Sequence, residues 1–563
     1  MAHLAEADRD AYLASLTPGA DIDHRGTSFT ASLLDKLFEA LRDPRTGKPQ
    51  MGTAGFNRAE FSGDVWFGEA VFLYRASFSA ACFLGDADFR KVHFSDNTDF
   101  FMARFSGAAM FSQAQFSGRA AFQGARFSER ALFAWTRFDS EAGFHGANIA
   151  GAARFDLAQF SGAAGFRKTR FADEANFQET RFTVAPELGP LTCNGIVNFS
   201  GAVFEAPVTL AIAARQVLCE RTRWESTATI RLRYARTDVS HAVLSAPVAI
   251  TSHPARFTVR PGEAMDETLL SDCREEVQVT SIQGVDAAHL VLTDIDLSAC
   301  LFAGAFHLDQ LRLEGGTIFA PAPSGWHRRG IRLTRWTRRR TLAEEHHWRA
   351  RNASQPAPSP IHPISSRQWR PGPYHPDPGL TPGPEDVAAL YRQLRKAFED
   401  GKNEPGAADF YYGEMEMRRH DRTGTPKGER RLLWGYWLLS GYGLRASRAM
   451  GWLGAAMLVT IVLLMGFGLP QDSPKQEAVG TVPQGGGKVT FQIDKDDPKN
   501  PTGNRFTGQR FEKALNVTLN SVVFRSSGQD LTTAGTYIEM TSRLLEPTLL
   551  ALAALAVRGR IKR

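Results

Sequence analysis

The chain has 563 residues, enough for several domains, with a mildly basic net charge of +6 and 39 Phe against 10 Trp and 10 Tyr. Its cysteines, Cys82, Cys193, Cys219, Cys273 and Cys300, are odd in number, far apart and without a CxxC pair, which argues against a disulfide scaffold or zinc site and for reduced thiols in a cytoplasmic compartment. The opening Met1-Ala-His-Leu-Ala-Glu-Ala-Asp8 is too acidic and polar to read as a secretory signal.

Residues 1–50 read as a helical N-terminal cap. Between Ser28 and Arg42, Leu33, Leu34, Leu37, Phe38 and Leu41 recur at helical spacing.

From Phe56 the chain beats. Phe61, Phe67, Phe72, Phe78, Phe83, Phe89, Phe94, Phe100, Phe105, Phe111, Phe116, Phe122, Phe127 and Phe133 follow in alternating steps of five and six, and the phase continues through Phe138, Phe144, Ile149, Phe155 and Phe160 to Phe204 and Leu210. Two residues before most of these slots stands a small one: Ala59, Ala70, Ala81, Ala103, Ala114, Ala125, Thr136, Ala158, Thr180. As an α-helix the two Phe of each unit would lie about 140° apart and share no seam. Glycines at 63, 85, 107, 118, 151 and 162 would each cost about 1 kcal/mol in a helix interior. A flat strand fails as well, because a step of five changes face and a step of six does not. What remains is a chain that turns a corner every five or six residues, points Phe inward from each side, and stacks coil on coil about 4.8 Å apart.

These residues resemble the pentapeptide-repeat family, whose pattern has a small residue at i−2 and Leu or Phe at i. The resemblance implies a mainly β fold, a right-handed four-sided β-helix, over residues 51–210. The extra residue in alternate repeats departs from the strict five-residue pattern and reads as a bulge at a corner. Residues 211–320 are β-rich and read as continued or associated β-helix. The Phe slots form the structural core. Acidic and basic residues nearly balance between Arg58 and Glu205, which disfavours the DNA mimicry known for some of this family, so nucleic acid is not an expected partner.

Residues 321–384 read as a basic and Pro-rich linker. Arg328, Arg329, Arg332, Arg335, Arg338, Arg339 and Arg340, with Trp336 among them, have two readings: an anionic surface such as lipid headgroups, for which Arg328, Arg329, Arg335, Arg338, Arg339 and Arg340 are the candidate contacts, or a solvated linker helix paired with Glu344 and Glu345. Pro356 to Pro384 form an extended, disordered spacer in this reading. Residues 385–422 predict an αα-hairpin, with helices at about 385–401 and 407–420 separated by Gly401-Lys-Asn-Glu-Pro-Gly406.

Residues 423–563 predict a membrane module. Gly451–Leu469 is uncharged and long enough to span, and a second apolar run, Leu544–Val557, spans if it recruits residues back to about Tyr537. Basic flanks at Arg418–Arg448 and Arg558–Arg563 place both ends in the cytoplasm, with spans at about 450–469 and 538–557 and an outside loop at about 470–536. The layout resembles two-helix potassium-channel pore modules, and the whole is similar to a bacterial membrane family of pentapeptide-repeat proteins, frequent in actinobacteria, with a channel-like C-terminus. The filter pattern Thr-Val-Gly-Tyr-Gly is absent; the local sequence is Arg525-Ser-Ser-Gly-Gln-Asp-Leu-Thr-Thr-Ala-Gly-Thr-Tyr537.

Catalytic motifs are not found. Gly441-Tyr-Gly-Leu-Arg-Ala446 matches GxGxxA without a βαβ unit around it, and Gly487-Lys488 is followed by Val489 where a P-loop needs Ser or Thr. His346 and His347 are adjacent and diverge by about 100° on a helix, so they form no chelating pair. The sequence therefore predicts no enzyme, cofactor or metal. It predicts a membrane-held scaffold with a cytoplasmic repeat domain, an unidentified protein partner, contact with membrane lipids, and self-association through the membrane helices. The alternative is the regulatory domain of a degenerate channel-like oligomer.

Overall fold

The computed structural model describes residues 5–260, 263–329, 332–336, 339–355, 368–372, 379–471, 476–480, 485, 491–495 and 498–561. It forms two compact units, Met1–Phe410 and Tyr411–Arg563.

The first unit is a parallel β-solenoid of about 12 turns. Each Phe column repeats one coil later in register: Phe61 pairs with Phe83, Phe83 with Phe105, and Phe105 with Phe127, a spacing of 22 residues. The fourteen slots from Phe61 to Phe133 are no more than 1% exposed. Phe122 shows why Phe rather than Leu fills them. It stacks on Phe100 and Phe144 at 4.9 Å and meets the edges of Phe111 and Phe133 at 5.4 Å. Offset stacks up the axis and edge-to-face contacts across it both suit the ring quadrupole.

The two step lengths are two kinds of corner. In the five-residue step Phe56–Phe61 the Ala59 N–H donates to the Phe56 carbonyl at 3.0 Å, and Arg58 takes a left-handed φ of 56°. The same slot is left-handed at Glu69, Ala80, Lys91, Met102, Gln113, Trp135, Leu157, Lys168 and Glu179. That conformation costs an L-residue about 1–2 kcal/mol; an N–H bond to the next coil, such as Arg58 to Ser79, offsets it. The six-residue step places its extra residue at the other corner without disturbing the register. There the backbones of successive coils touch: a Cβ on Gly162 would lie 2.3 Å from the Ser140 carbonyl carbon. Buried Thr is tolerated beside Phe because its hydroxyl donates one coil back, Thr136 to the Phe111 carbonyl and Thr180 to the Phe155 carbonyl.

The N-terminal cap is only partly helical. Helix α1 spans Glu6–Ser15 and α2 spans Ala31–Ala40. Ile22–Asp23, Ser28–Thr30 and Gln50–Met51 already pair with the coil that follows, so the solenoid begins inside the stretch read as a separate cap. Helix α2 replaces one side of this first coil: Leu34 and Phe38 are buried, and Phe38 meets the Phe67 ring at 5.2 Å.

The Phe beat fades after Leu210 because the coil itself shortens. Val203 pairs with Arg223 and Arg223 with Val243, a coil of 20 residues in place of 22, in which Leu, Ile and Val replace most Phe. Between Ser252 and Gln278 the chain leaves the solenoid. Phe257, Met265 and Leu270 of this insertion pack on Ala211, Ala213 and Tyr234, and Glu267 meets the buried Arg233 guanidinium at 3.1 Å. The stack then resumes, Val248 pairing with Leu290 and Val291 with Arg312.

The far end is plugged. Helix α3, Ala343–Asn352, is not a solvated linker helix: Glu344 and Glu345 are both fully buried. Glu344 accepts the N–H groups of Phe302 and Ala303, at a turn near the end of the solenoid. Glu345 accepts from Arg339, from Arg349 at 2.7 Å and from the Tyr391 hydroxyl at 2.6 Å. The αα-hairpin follows as α4, Pro384–Asp400, and α5, Glu404–His420. Phe398 and Phe410 of this hairpin pack edge-on and tilted around Phe319 of the solenoid end.

In the second unit α6 spans Lys427–Ser440, a helix the sequence reading did not single out. Helix α7, Ala446–Leu463, runs on through a π turn, Leu464–Gly468. Helix α8, Gly508–Val522, and α9, Thr533–Ile561, complete it.

Candidate functional site

The sides of the solenoid are its available surface. Outward side chains repeat in register one coil apart, as with Arg104 and Arg126, both exposed, so a feature on one coil is copied about 4.8 Å along the axis. Large apolar side chains also face out, among them Trp66, Tyr74, Phe101 and Trp135, at different positions around the 22-residue coil. At one corner the carboxylate of each coil caps the next: Asp64 accepts the Asp86 N–H at 2.9 Å and Asp86 accepts the Ala108 N–H at 2.8 Å. With this geometry the comparison with known proteins is specific. A profile of the family described as Pentapeptide repeats (9 copies) matches residues 144–186. These residues are pentapeptide repeats. No curated protein and no solved structure matches the chain. The solenoid itself extends far beyond the matched segment on either side, as its register shows.

Among the described residues, no group of three His, Cys, Asp or Glu could hold a metal. Burial pushes the thiols of Cys193 and Cys219 up to about 12, far from the thiolate that a nucleophile needs.

Of the candidate lipid-contact arginines, Arg339 and Arg340 have described side chains. Arg339 is a correction: only 6% exposed, it is a partner of Glu345 inside the plug and faces no headgroup. Arg340 is half-buried, with its N–H on Asp409 at 3.1 Å. Arg328, Arg329, Arg332 and Arg335 lie on a β-hairpin, Gly325–Arg329 with Arg332–Trp336, whose side chains are outside the description. Arg338, the prolines from Pro356 to Pro363 and from Pro373 to Pro378, Gly487, Lys488 and Arg563 lie outside the described residues.

The second unit holds two helices long and apolar enough to cross a membrane, Ala446–Gly468 and Thr533–Arg558. They cross at two glycines. A Cβ on Gly535 would stand 2.2 Å from the Gly468 carbonyl oxygen, and the Thr532 hydroxyl donates to the Phe467 carbonyl at 2.7 Å. Arg510 of α8 closes the end of the π turn, donating to the carbonyls of Met465, Leu469 and Pro470 at 2.8–2.9 Å. These are the carbonyls that a helix end leaves without partners. Ala514 and Val517 of α8 pack on Leu464, Met465 and Leu469.

Gly535→Val is therefore expected to force the two helices apart and lower the thermal midpoint of the detergent-solubilised protein, an overpacking effect of about 1–3 kcal/mol. Gly528→Ala has open space around it and only a left-handed φ of 63° to satisfy, so its effect is about 1 kcal/mol. Equal midpoints for Gly535→Val and the unaltered protein would refute the close crossing.

Sequence reasoning missed a polar pair in this unit, Thr460 and Glu546, whose side chains meet at 2.9 Å. The signal was present, as a Glu-Pro step, Glu546-Pro547, inside an apolar run.

Proposed function

We propose that the chain is a membrane-anchored, non-catalytic scaffold whose solenoid presents its sides to a protein partner in the cytoplasm. The observation that carries this is the closure of both solenoid ends, by α2 at one and by α3 and α4 at the other, which leaves the in-register sides as the surface for recognition. Isolation from membranes in mild detergent, comparing the unaltered chain with Arg104→Glu/Arg126→Glu, tests it. A partner recovered equally with both proteins would overturn recognition through that ladder.

Anchoring is supported by exposure. Only 28% of the apolar window of α7 and 33% of that of α9 is buried, whereas the core helix of a soluble protein is mostly buried. Leu458, Val459, Val462, Leu544, Leu545 and Leu555 face outward. Leu432 and Trp434 of α6 are exposed too, while Arg419 and Arg448 lie over Trp437, a mixture of aromatic and basic groups suited to a headgroup layer. The basic flanks favour both termini on the inside. A cysteine introduced at Asp494 is expected to react with an impermeant maleimide from outside, and cysteines at either terminus only after permeabilisation. Protection of position 494 in intact cells would refute the two-span topology.

A second reading has one observation in its favour: α8 lies between the two candidate spans and packs on the end of α7, the order of a pore module. This is the finer resemblance, to channel-like membrane pentapeptide-repeat proteins of actinobacterial type. Gly454 and Ala455 are exposed on α7 and permit close packing between copies. Without a carbonyl filter, bilayer recording of the full chain is expected to show no preference for potassium over sodium. A selective conductance abolished by Gly528→Trp would favour the channel over the scaffold.

A further inference from the structure

Helix α9 buries one face at steps of three and four: Glu539, Ser542, Glu546, Leu549, Ala553 and Ala556. Its first half is polar and its second half apolar. Glu546 stands at the middle of the 26-residue apolar stretch Thr533–Arg558, and its side chain is fully buried. One carboxyl oxygen, Oε1, accepts the Thr460 hydroxyl of α7 at 2.9 Å. The other, Oε2, is buried with no hydrogen-bond partner among the described residues.

Among the described residues no cation forms an ion pair with this carboxyl. Helix α7 has no charged residue between Arg448 and Gly468. On α8 the charged residues are Arg510, Glu512 and Lys513 of the first two turns, and Arg510 is engaged with the carbonyls at the end of α7. On α9, Arg543 stands one turn before Glu546 but pairs with Glu539 at 3.5 Å, and Arg558 and Arg560 follow three or more turns after Glu546. On α6 the charged residues are Lys427, Glu429, Arg430 and Arg431, with Glu429 held by Arg418. None of these forms an ion pair with Glu546 among the described residues. A carboxylate buried with one hydrogen bond and no counter-charge is costly, and at the middle of a bilayer more so. The neutral acid removes that cost, because the charge is gone and the remaining polar group already has a donor in Thr460.

We propose that Glu546 is a proton-binding site inside the membrane: a carboxyl held neutral between α7 and α9 that exchanges its proton along the polar face through Ser542 and Glu539. Glu539 lies seven residues nearer the Ser527 end of the unit, about 10 Å along the helix, and accepts the Ser527 N–H at 3.3 Å. The inference rests on the reading of α9 as a membrane span.

A hydrophobic carbodiimide, dicyclohexylcarbodiimide, tests it on the full chain in lipid vesicles. A neutral carboxyl adds across one C=N bond: its oxygen bonds the central carbon, and its proton passes to nitrogen. Away from water the acyl group then shifts to nitrogen, giving a stable N-acylurea with nothing lost and nothing oxidised. The peptide containing Glu546 is expected to carry one added carbodiimide, at a level that falls as pH rises and does not change with sodium concentration. Glu546→Gln should lower that label at least tenfold. Thr460→Val removes the one donor that favours the carboxylate and should move the decline to higher pH, a change that a merely structural contact would not produce. An unlabelled Glu546 at low pH, competition by sodium at constant pH (which would mark a metal-cation site), or an unchanged pH profile in Thr460→Val overturns the proposal. Alkaline carbonate extraction of the same vesicles separates the two readings. Release of the protein refutes anchoring, whereas retention without label at Glu546 refutes the proton site alone.

Discussion

Phe122→Ala is expected to destabilise the solenoid by about 3–5 kcal/mol, because the cavity it leaves is lined by five other rings that cannot collapse into it independently. Phe116→Ala, stacked between Phe94 and Phe138, belongs to the same class. Gln113→Ala is the control. Its side chain is exposed, and although its φ is 61°, Ala and Gln bear a left-handed conformation about equally, so the change is under about 0.5 kcal/mol. Urea unfolding of a fragment covering residues 1–420 measures all three. A shorter piece covering 44–320 would lack α2 at one end and α3 and α4 at the other, exposing unpaired coil edges. Similar midpoints for Phe122→Ala and Gln113→Ala would refute the inward assignment.

Glu345→Ala is the other large effect, about 3–5 kcal/mol. It removes the carboxylate on which Arg339, Arg349 and the Tyr391 hydroxyl converge in a dry site. The two adjacent glutamates also give the plug opposite pH dependences. Burial opposes the charge on Glu345, but the arginines Arg339 and Arg349 prevail and bring its carboxyl down to about 2. Its contribution is present above its ordinary value near 4.5 and is lost as pH falls from there towards 2. Burial carries Glu344 the other way, to about 7, so the folded state holds its proton more tightly. That contribution is complete below about 4.5 and is lost as pH rises through 7. Thermal melts of the same fragment across pH should therefore fall off on both sides of a slightly acidic optimum. Glu344→Gln, which keeps an oxygen for Phe302 and Ala303, should flatten the alkaline side by about 1–3 kcal/mol. An unchanged alkaline limb in that variant would show that Glu344 is not its source.

The core was legible because it repeats. Phe61 to Phe133 could be assigned inward from spacing alone, since no helix or flat strand keeps steps of five and six on one side. The αα-hairpin was legible from its glycine break, and the two long apolar helices from their length. Other parts were hidden for physical reasons. Ile22, Phe29 and Met51 belong to the first coil, but helix α2 interrupts their spacing. Glu344 and Glu345 look like a solvated pair until the solenoid supplies N–H groups to the one, and Arg339 and Arg349 fold onto the other. The insertion between Ser252 and Gln278 breaks the phase of two coils that pair directly in space. Thr460 and Glu546 are far apart in sequence, and only the crossing of α7 and α9 brings them together.

The two corner types alternate, so each coil of the central stack consists of two nearly equivalent halves. A deletion of 22 residues there would shorten the rod by one rung, about 4.8 Å, and leave every side facing as before. A deletion of half that length would also preserve the Phe beat and both corner types, yet rotate everything beyond it by half a turn about the axis. The ladder containing Arg104 and Arg126 would then continue as the column of Gln115 and Arg137 on the opposite side. Length and facing are thus separately adjustable by small indels, and a partner that bridges many coils would sense the second kind of change even where the core does not.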